Sequence, residues 1–183
     1  MAMPDQLYFT DSEEANKLIA SDPMALLVGF ALDQQVPVQK AFRGPLDLRE
    51  RVGSLEPGVL AEAELEPVFS AKPAIHRFPG SMAKRVHDLA VHVLERYDGD
   101  ASGVWESAAD SAQLKANLAA LPGFGEMKIK ALGSVLYNRF GVEAARELVP
   151  SHPTLGNVDS PQALADYQAA KRAHKAEWSK QRV

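Results

Sequence analysis

Between Ser81 and Tyr97 apolar residues recur at Met82, Val86, Leu89, Val93 and Tyr97, spaced four, three, four and four apart. That period lines one face of an α-helix and would scatter over both faces of a strand. The same period, with helix punctuation, recurs along the chain. Thr10 and Glu13 have the spacing of a capping box ahead of Ala15, Leu18 and Ile19. Asp22-Pro23 opens a second helix whose body, MALLVGFAL from Met24 to Leu32, is apolar throughout, which predicts a central buried element. Pro37, Gly44-Pro45, Gly53, Glu56-Pro57-Gly58, Pro67 and Lys72-Pro73 divide residues 36–80 into short helical pieces joined by turns. Asp98-Gly99 ends the 81–97 helix. Helices are predicted at 111–119 and 126–140, the second with Ile129, Leu132, Leu136 and Phe140 inward, around the break Leu121-Pro122-Gly123-Phe124-Gly125. Residues 149–160 read as loop, and a basic helix follows Ser160-Pro161. No segment shows convincing strand alternation, so the expected class is all-α, and 183 residues suit one domain spanning 1–183.

Composition narrows the chemistry. With 46% hydrophobic and 24% charged residues the chain has material for a core. Cys is absent, which excludes disulfides, Cys-ligated zinc, iron–sulfur clusters and a thiol nucleophile. The longest apolar run has nine residues, against about 20 for a membrane span. The amino-terminal Met-Ala-Met-Pro-Asp shows no secretory pattern, so a soluble, cytoplasmic and nucleoid-associated chain is expected. His76, His87, His92, His152 and His174 lack metal-ligand spacing and read as solvated or packing residues, and Trp105 and Trp178 as packing residues.

The net charge of -4 argues against a blanket polyanion binder, yet its distribution is uneven. Residues 1–23 carry Asp5, Asp11, Glu13, Glu14 and Asp22 against Lys17. Residues 72–96 carry Lys72, Arg77, Lys84, Arg85 and Arg96 against Asp88 and Glu95. Lys128, Lys130 and Arg139 have no acid among them between 128 and 140, and residues 166–183 hold Lys171, Arg172, Lys175, Lys180 and Arg182 against Asp166 and Glu177. These stretches are either ordinary solvated helix faces or one positive face for phosphates.

The break at 121–125 has a physical logic. Gly123 and Gly125 allow a tight turn while Phe124 plugs the space between two helices. The amides after Gly125 sit at a helix amino terminus, which accepts a phosphate, and Lys128 one turn in adds a charge-assisted contact. The alternative is a plain helical hairpin with a glycine-rich turn.

LPGFGEMKIKAL resembles the hairpin signature of the helix-hairpin-helix (HhH-GPD) DNA glycosylase superfamily, the endonuclease-III-like base-excision repair proteins, and short bacterial members in particular. DPMALLVGFALDQQVPVQKAF resembles the family's apolar helix ending in a Gln that enters the DNA beside the lesion. FPGSMAKRVHDLAVHVLERYDGD resembles its helix ending in a glycine-containing turn. Together these cover roughly residues 22–140 in the family's order, with the hairpin at 111–140 and a basic helix at 161–183. The resemblance implies a two-lobed all-α fold with the lesion pocket between the lobes and double-stranded DNA, carrying a lesion or mismatch, as partner. It implies that Gly123, Phe124, Gly125 and Lys128 hold the backbone, that Gln35 fills the gap of a flipped base, and that Phe78 is an intercalating wedge. It also implies a monovalent cation, K⁺ or Na⁺, on the carbonyls of Ala119, Leu121 and Phe124. Gln35 has the alternative of capping its helix, and Phe78 of lying in the core.

Two departures shape the expected activity. The family's bifunctional branch has a Schiff-base Lys two residues after the second hairpin glycine, where this chain has Met127; Lys128 lies one position later, on another helix face. The family's catalytic Asp lies about twenty residues beyond the hairpin; here that stretch is VEAARELVP, with Glu143 and Glu147 its only carboxylates. Asp159, just before a helix start, is the candidate for that role or else, with Gln162, a helix cap. Asp33, beside Gln34-Gln35, is a further candidate at the pocket mouth. The expected function is a monofunctional DNA glycosylase without lyase activity and without an iron–sulfur cluster. The alternatives are an inactive module of the same fold that binds distorted DNA, and a helical protein–protein adaptor.

Overall fold

The computed structural model describes residues 3–181, with side chains to residue 177. The side chain of Trp178, expected to pack, lies outside the described residues, as do those of Lys180 and Arg182. Every regular element among the described residues is helical: α1 (Glu13–Ser21), α2 (Pro23–Leu32), α3 (Val38–Val52), α4 (Pro57–Glu62), α5 (Leu65–Ser70), α6 (Pro79–Tyr97), α7 (Gly103–Glu106), α8 (Ser111–Ala119), α9 (Glu126–Phe140) and α10 (Pro161–Gln181), with 3-10 turns at Glu143–Leu148 and Leu155–Asn157. The chain is all-α.

Asp22 fixes the first corner. Its amide donates to Leu18 O as α1 ends, and its Oδ1 accepts from Met24 N at 2.9 Å as α2 begins. The two helices therefore meet at 114°, and among the described residues no single helix is long and apolar enough to cross a membrane. All residues of α2 after Pro23 are buried, against α1, α3 and α6. Burial of its large side chains, Met24, Leu26, Leu27, Val28, Phe30 and Leu32, contributes on the order of 10 kcal/mol. Gly29 lets α3 approach, since a Cβ there would enter the Phe42 ring, which stacks edge-on against Phe9 at 4.9 Å and Phe30 at 5.0 Å.

Two local expectations change. The cap of α1 is Ser12, whose Oγ accepts from Ala15 N at 3.2 Å; Thr10 instead bonds Asn16 Oδ1 at 2.8 Å, tying the preceding strand of chain to the helix flank. Gly44-Pro45 does not break the chain: α3 continues through both, because each is buried and Gly44 lies against Leu32, where a side chain has no room. Packing on α2 outweighs the lost backbone hydrogen bond. The helix ends instead at Gly53 (φ 96).

α4 and α5 lie on α6, and Arg51 staples the end of α5, its guanidinium donating to Val68 O at 2.7 Å, Ala71 O at 2.9 Å and Pro73 O at 2.5 Å. α6 matches the predicted stripe, with Met82, Val86, Leu89 and Val93 buried. α8 and α9 form the hairpin at the expected residues, α8 capped by Asp110. Both 3-10 turns pack on α9, including Leu155–Asn157 in the stretch expected to be loop; its Gly156 lies against the Ser134 backbone. Trp105 is buried, as expected.

Candidate functional site

Three segments far apart in sequence meet where α2 ends. His76 is buried; its Nδ1 accepts the Phe78 amide at 3.0 Å, so its Nε2–H donates to Leu32 O at 3.0 Å, across 44 residues. Arg85, on α6, donates to Gln34 Oε1, across 51 residues. Lys128, on α9, donates to Ala31 O at 3.1 Å, across 97 residues. The end of α2, the loop before α6 and the start of α9 are thereby held together around Asp33. From a fourth side α10 is joined to α3 by paired amides: Gln39 and Gln168 exchange hydrogen bonds of 2.9 and 2.8 Å.

The electrostatics follow from that enclosure. Burial lifts the Asp33 carboxyl above the usual carboxylate range, and the positive charges of Lys171 and Lys128 work against it. Among the described residues Asp33 has no side-chain hydrogen bond and no ion pair within 4.0 Å. Burial, with the like charge of Arg85, pulls Lys128 down to about 8. Lys128 also lies over the Phe124 ring, 5.6 Å from its centroid. Tyr167, on α10, is raised by burial and by the negative charge of Asp33. Burial lowers His76, with its bond to Leu32 opposing.

The hairpin turn is asymmetric. Gly123 has φ +79, and a Cβ there would lie 2.5 Å from Arg85 Nε. Gly125 has φ -91 and open space about it, so the turn requires the first glycine and not the second, contrary to the expectation that both serve it. Phe124 is buried and plugs the hairpin as expected. The Gly125, Glu126, Met127 and Lys128 amides donate to no backbone carbonyl among the described residues, α9 being closed first by Ile129 N to Gly125 O. Of the carbonyls expected to hold a cation, Leu121 accepts the Phe124 amide at 3.2 Å, while those of Ala119 and Phe124 accept no backbone amide among the described residues.

The other expected residues are placed as follows. Gln35 does not cap α2, whose C-cap is Asp33; it is exposed and has φ 59, a left-handed backbone unusual for Gln. Phe78 is not core: it is 38% exposed, at the amino-terminal cap of α6, with Arg77 5.2 Å over its ring. Met127 is 83% exposed. Lys128 is half-buried and turned to the end of α2, not extended beside the free amides. Asp159 is exposed and does not cap α10; Ser160 does, its Oγ accepting from Ala163 N at 3.0 Å. His76, Arg85, Tyr167 and Lys171 were not foreseen as site residues. The only signal was that Arg85 and Lys171 belong to basic stretches.

Two surface depressions lie elsewhere, one lined by Glu64, Leu65, Glu66, Pro67 and Ser70, the other at the opposite end of α2 around Asp22, Met24 and Glu56. Comparison of the chain with protein-family models, curated proteins and solved structures finds no match.

Proposed function

We propose that this chain is a DNA-binding base-excision repair protein of the two-lobed helix-hairpin-helix kind, acting as a monofunctional glycosylase that flips a damaged or mismatched base and hydrolyses its N-glycosidic bond without lyase activity. The observation that carries this reading is the convergence of the three family-like segments on one edge, through Leu32–His76–Phe78, Gln34–Arg85 and Ala31–Lys128. Exposed Phe78 and Gln35 then act on the duplex, the first unstacking a step and the second entering the gap. The free amides beyond Gly125 receive a phosphate, and the open space at Gly125 admits its close approach. A K⁺ or Na⁺ on the carbonyls of Ala119, Leu121 and Phe124 would add positive charge beside that phosphate. Asp33, more than Asp159, has the enclosure that a carboxylate working on the sugar needs.

The test is base release from a panel of lesion duplexes, read as alkali-labile sites. Wild type and Asp159→Asn are expected to act, and Asp33→Asn to bind DNA but release nothing. Activity retained in Asp33→Asn and lost in Asp159→Asn would reassign the carboxylate.

One observation favours a second reading, a module that binds distorted DNA without catalysis: α10 is held on α3 by Gln39 and Gln168, and the charges of its Lys171 and of Asp33 act on one another. That reading predicts salt-dependent duplex binding with no base released from any substrate.

A further inference from the structure

α10 is held to the body by its first half. Leu164 is buried, Tyr167 packs on the core, and Gln168 exchanges amide hydrogen bonds with Gln39, the second residue of α3. From Ala169 to Glu177 every residue is exposed, so the helix runs on past that crossing into solvent. Its charges are sorted there. Lys171, Arg172 and Lys175 follow Gln168 at steps of three, four and seven, which puts them on the face of α10 that Gln168 turns to α3. Asp166 and Glu177 stand about 160° and 180° round the axis from Gln168, on the opposite face. No acid lies three or four residues from any of the three cations, and among the described residues none of them makes an ion pair. Lys175 instead has Lys171 and Arg172 as helical neighbours, like-charge pairs that destabilise a helix in water and are relieved by a facing anion.

We infer that this stripe is a second, lesion-independent contact: resting on the DNA-binding reading, Lys171, Arg172 and Lys175 lie on the phosphate backbone of the undamaged duplex that flanks the distortion. Its place in the fold fits. Gln39 follows Gln35 by four residues, at most about 14 Å of extended chain, so the stripe leaves the body beside the exposed Gln35. Its chemistry fits a polyanion better than a protein groove or a bilayer, because the only apolar residues from 169 to 177 are Ala169, Ala170, Ala173 and Ala176. Lys171 to Lys175 spans about 6 Å of helix rise, against one negative charge per about 1.7 Å of duplex axis, so the three cations find phosphates in any register. Contacts of this kind release counterions without reading bases, and they act equally on damaged and intact DNA. The stripe thus keeps the chain on the duplex while the edge carrying Phe78 and Gln35 samples the stack.

The experiment is a salt titration of duplex binding by the full chain, with one duplex carrying a tetrahydrofuran abasic analogue and an otherwise identical intact one. Replacing all three cations together, Lys171→Gln, Arg172→Gln and Lys175→Gln, is expected to flatten the slope of log affinity against log salt by about 2.7 on both duplexes, each phosphate contact contributing about 0.9. Wild type should therefore lose about 40-fold more affinity than the variant between about 50 and 200 mM salt. The three sites are exposed and glutamine is a good helix former, so the thermal midpoint should not move. Adding Ala170→Lys and Ala173→Lys to that variant returns two charges to the opposite face of α10 and should restore little of the slope. A slope untouched by the triple variant overturns the inference while leaving DNA binding, as does recovery of most of the slope by the relocated lysines. A loss confined to the abasic duplex also overturns it, since the stripe would then act at the lesion. Weakened self-association in a sedimentation run, with DNA binding unchanged, overturns it in favour of the acidic residues 1–23 of a second copy. Absence of salt-dependent binding by wild type to either duplex overturns the inference and the DNA-binding reading together.

Discussion

His76 has both ring nitrogens committed, Nδ1 to the Phe78 amide and Nε2 to Leu32 O, so a second proton has no place without breaking one bond. Its folded pKa therefore lies below that of the unfolded chain, as its burial requires. The stability it contributes is complete above about pH 6.5 and declines as pH falls below that value, where the unfolded chain binds a proton that the folded one resists. Thermal midpoints at pH 5 and 7 should differ more for wild type than for His76→Gln, and equal differences would contradict the reading. Removing the ring altogether, in His76→Ala, should cost about 2–4 kcal/mol in a urea melt, from two orphaned backbone groups and a cavity. Gln35 is the opposite case, an exposed residue held at φ 59. Gln35→Gly is expected to stabilise by about 0.5–1 kcal/mol and to weaken duplex binding; destabilisation would show that the side chain serves the fold. The sequence marks Gln35 and Lys128 as polar residues in suggestive places, but the left-handed turn and the direction of the lysine depend on neighbours up to 97 residues away.

At the scale of elements, the hairpin separates folding from binding at two glycines. Gly123→Ala places a Cβ into Arg85 at a positive φ and is expected to cost more than about 1 kcal/mol. Gly125→Ala meets nothing within 4 Å and should change stability by less than about 0.5 kcal/mol, yet weaken duplex binding by crowding the free amides. Equal effects of both on both measurements would remove the distinction. Helices whose boundaries are written in local spacing and caps were legible: α6, α8 and α9 match their predicted residues within two positions at each end. Gly44-Pro45 was misleading because the signal is local while the force that overrides it, burial of α3 on α2, is tertiary. The 3-10 turns escaped notice because three to six residues are too few to display a period.

For the whole molecule, the all-α class was legible from repeated helical spacing, whereas the enclosure of Asp33 was not. It depends on α10 returning to α3 through Gln39 and Gln168, 129 residues apart, and no local pattern encodes that meeting. The same dependence concerns α2. Its last turn has no basic residue, its C-cap is the acidic Asp33, and the positive charge that complements its carbonyl end is Lys128 of α9. A fragment of residues 1–110 is therefore expected to lose the cooperative urea transition of the full chain and to bind an apolar dye; a sharp transition in the fragment would contradict this. During synthesis at about 5–20 residues per second, roughly 5–20 s separate the emergence of Ala31 from that of Lys128. Through that interval the most apolar helix of the nascent chain waits at the ribosome with its negative end uncompensated, a natural client for a chaperone until the hairpin arrives.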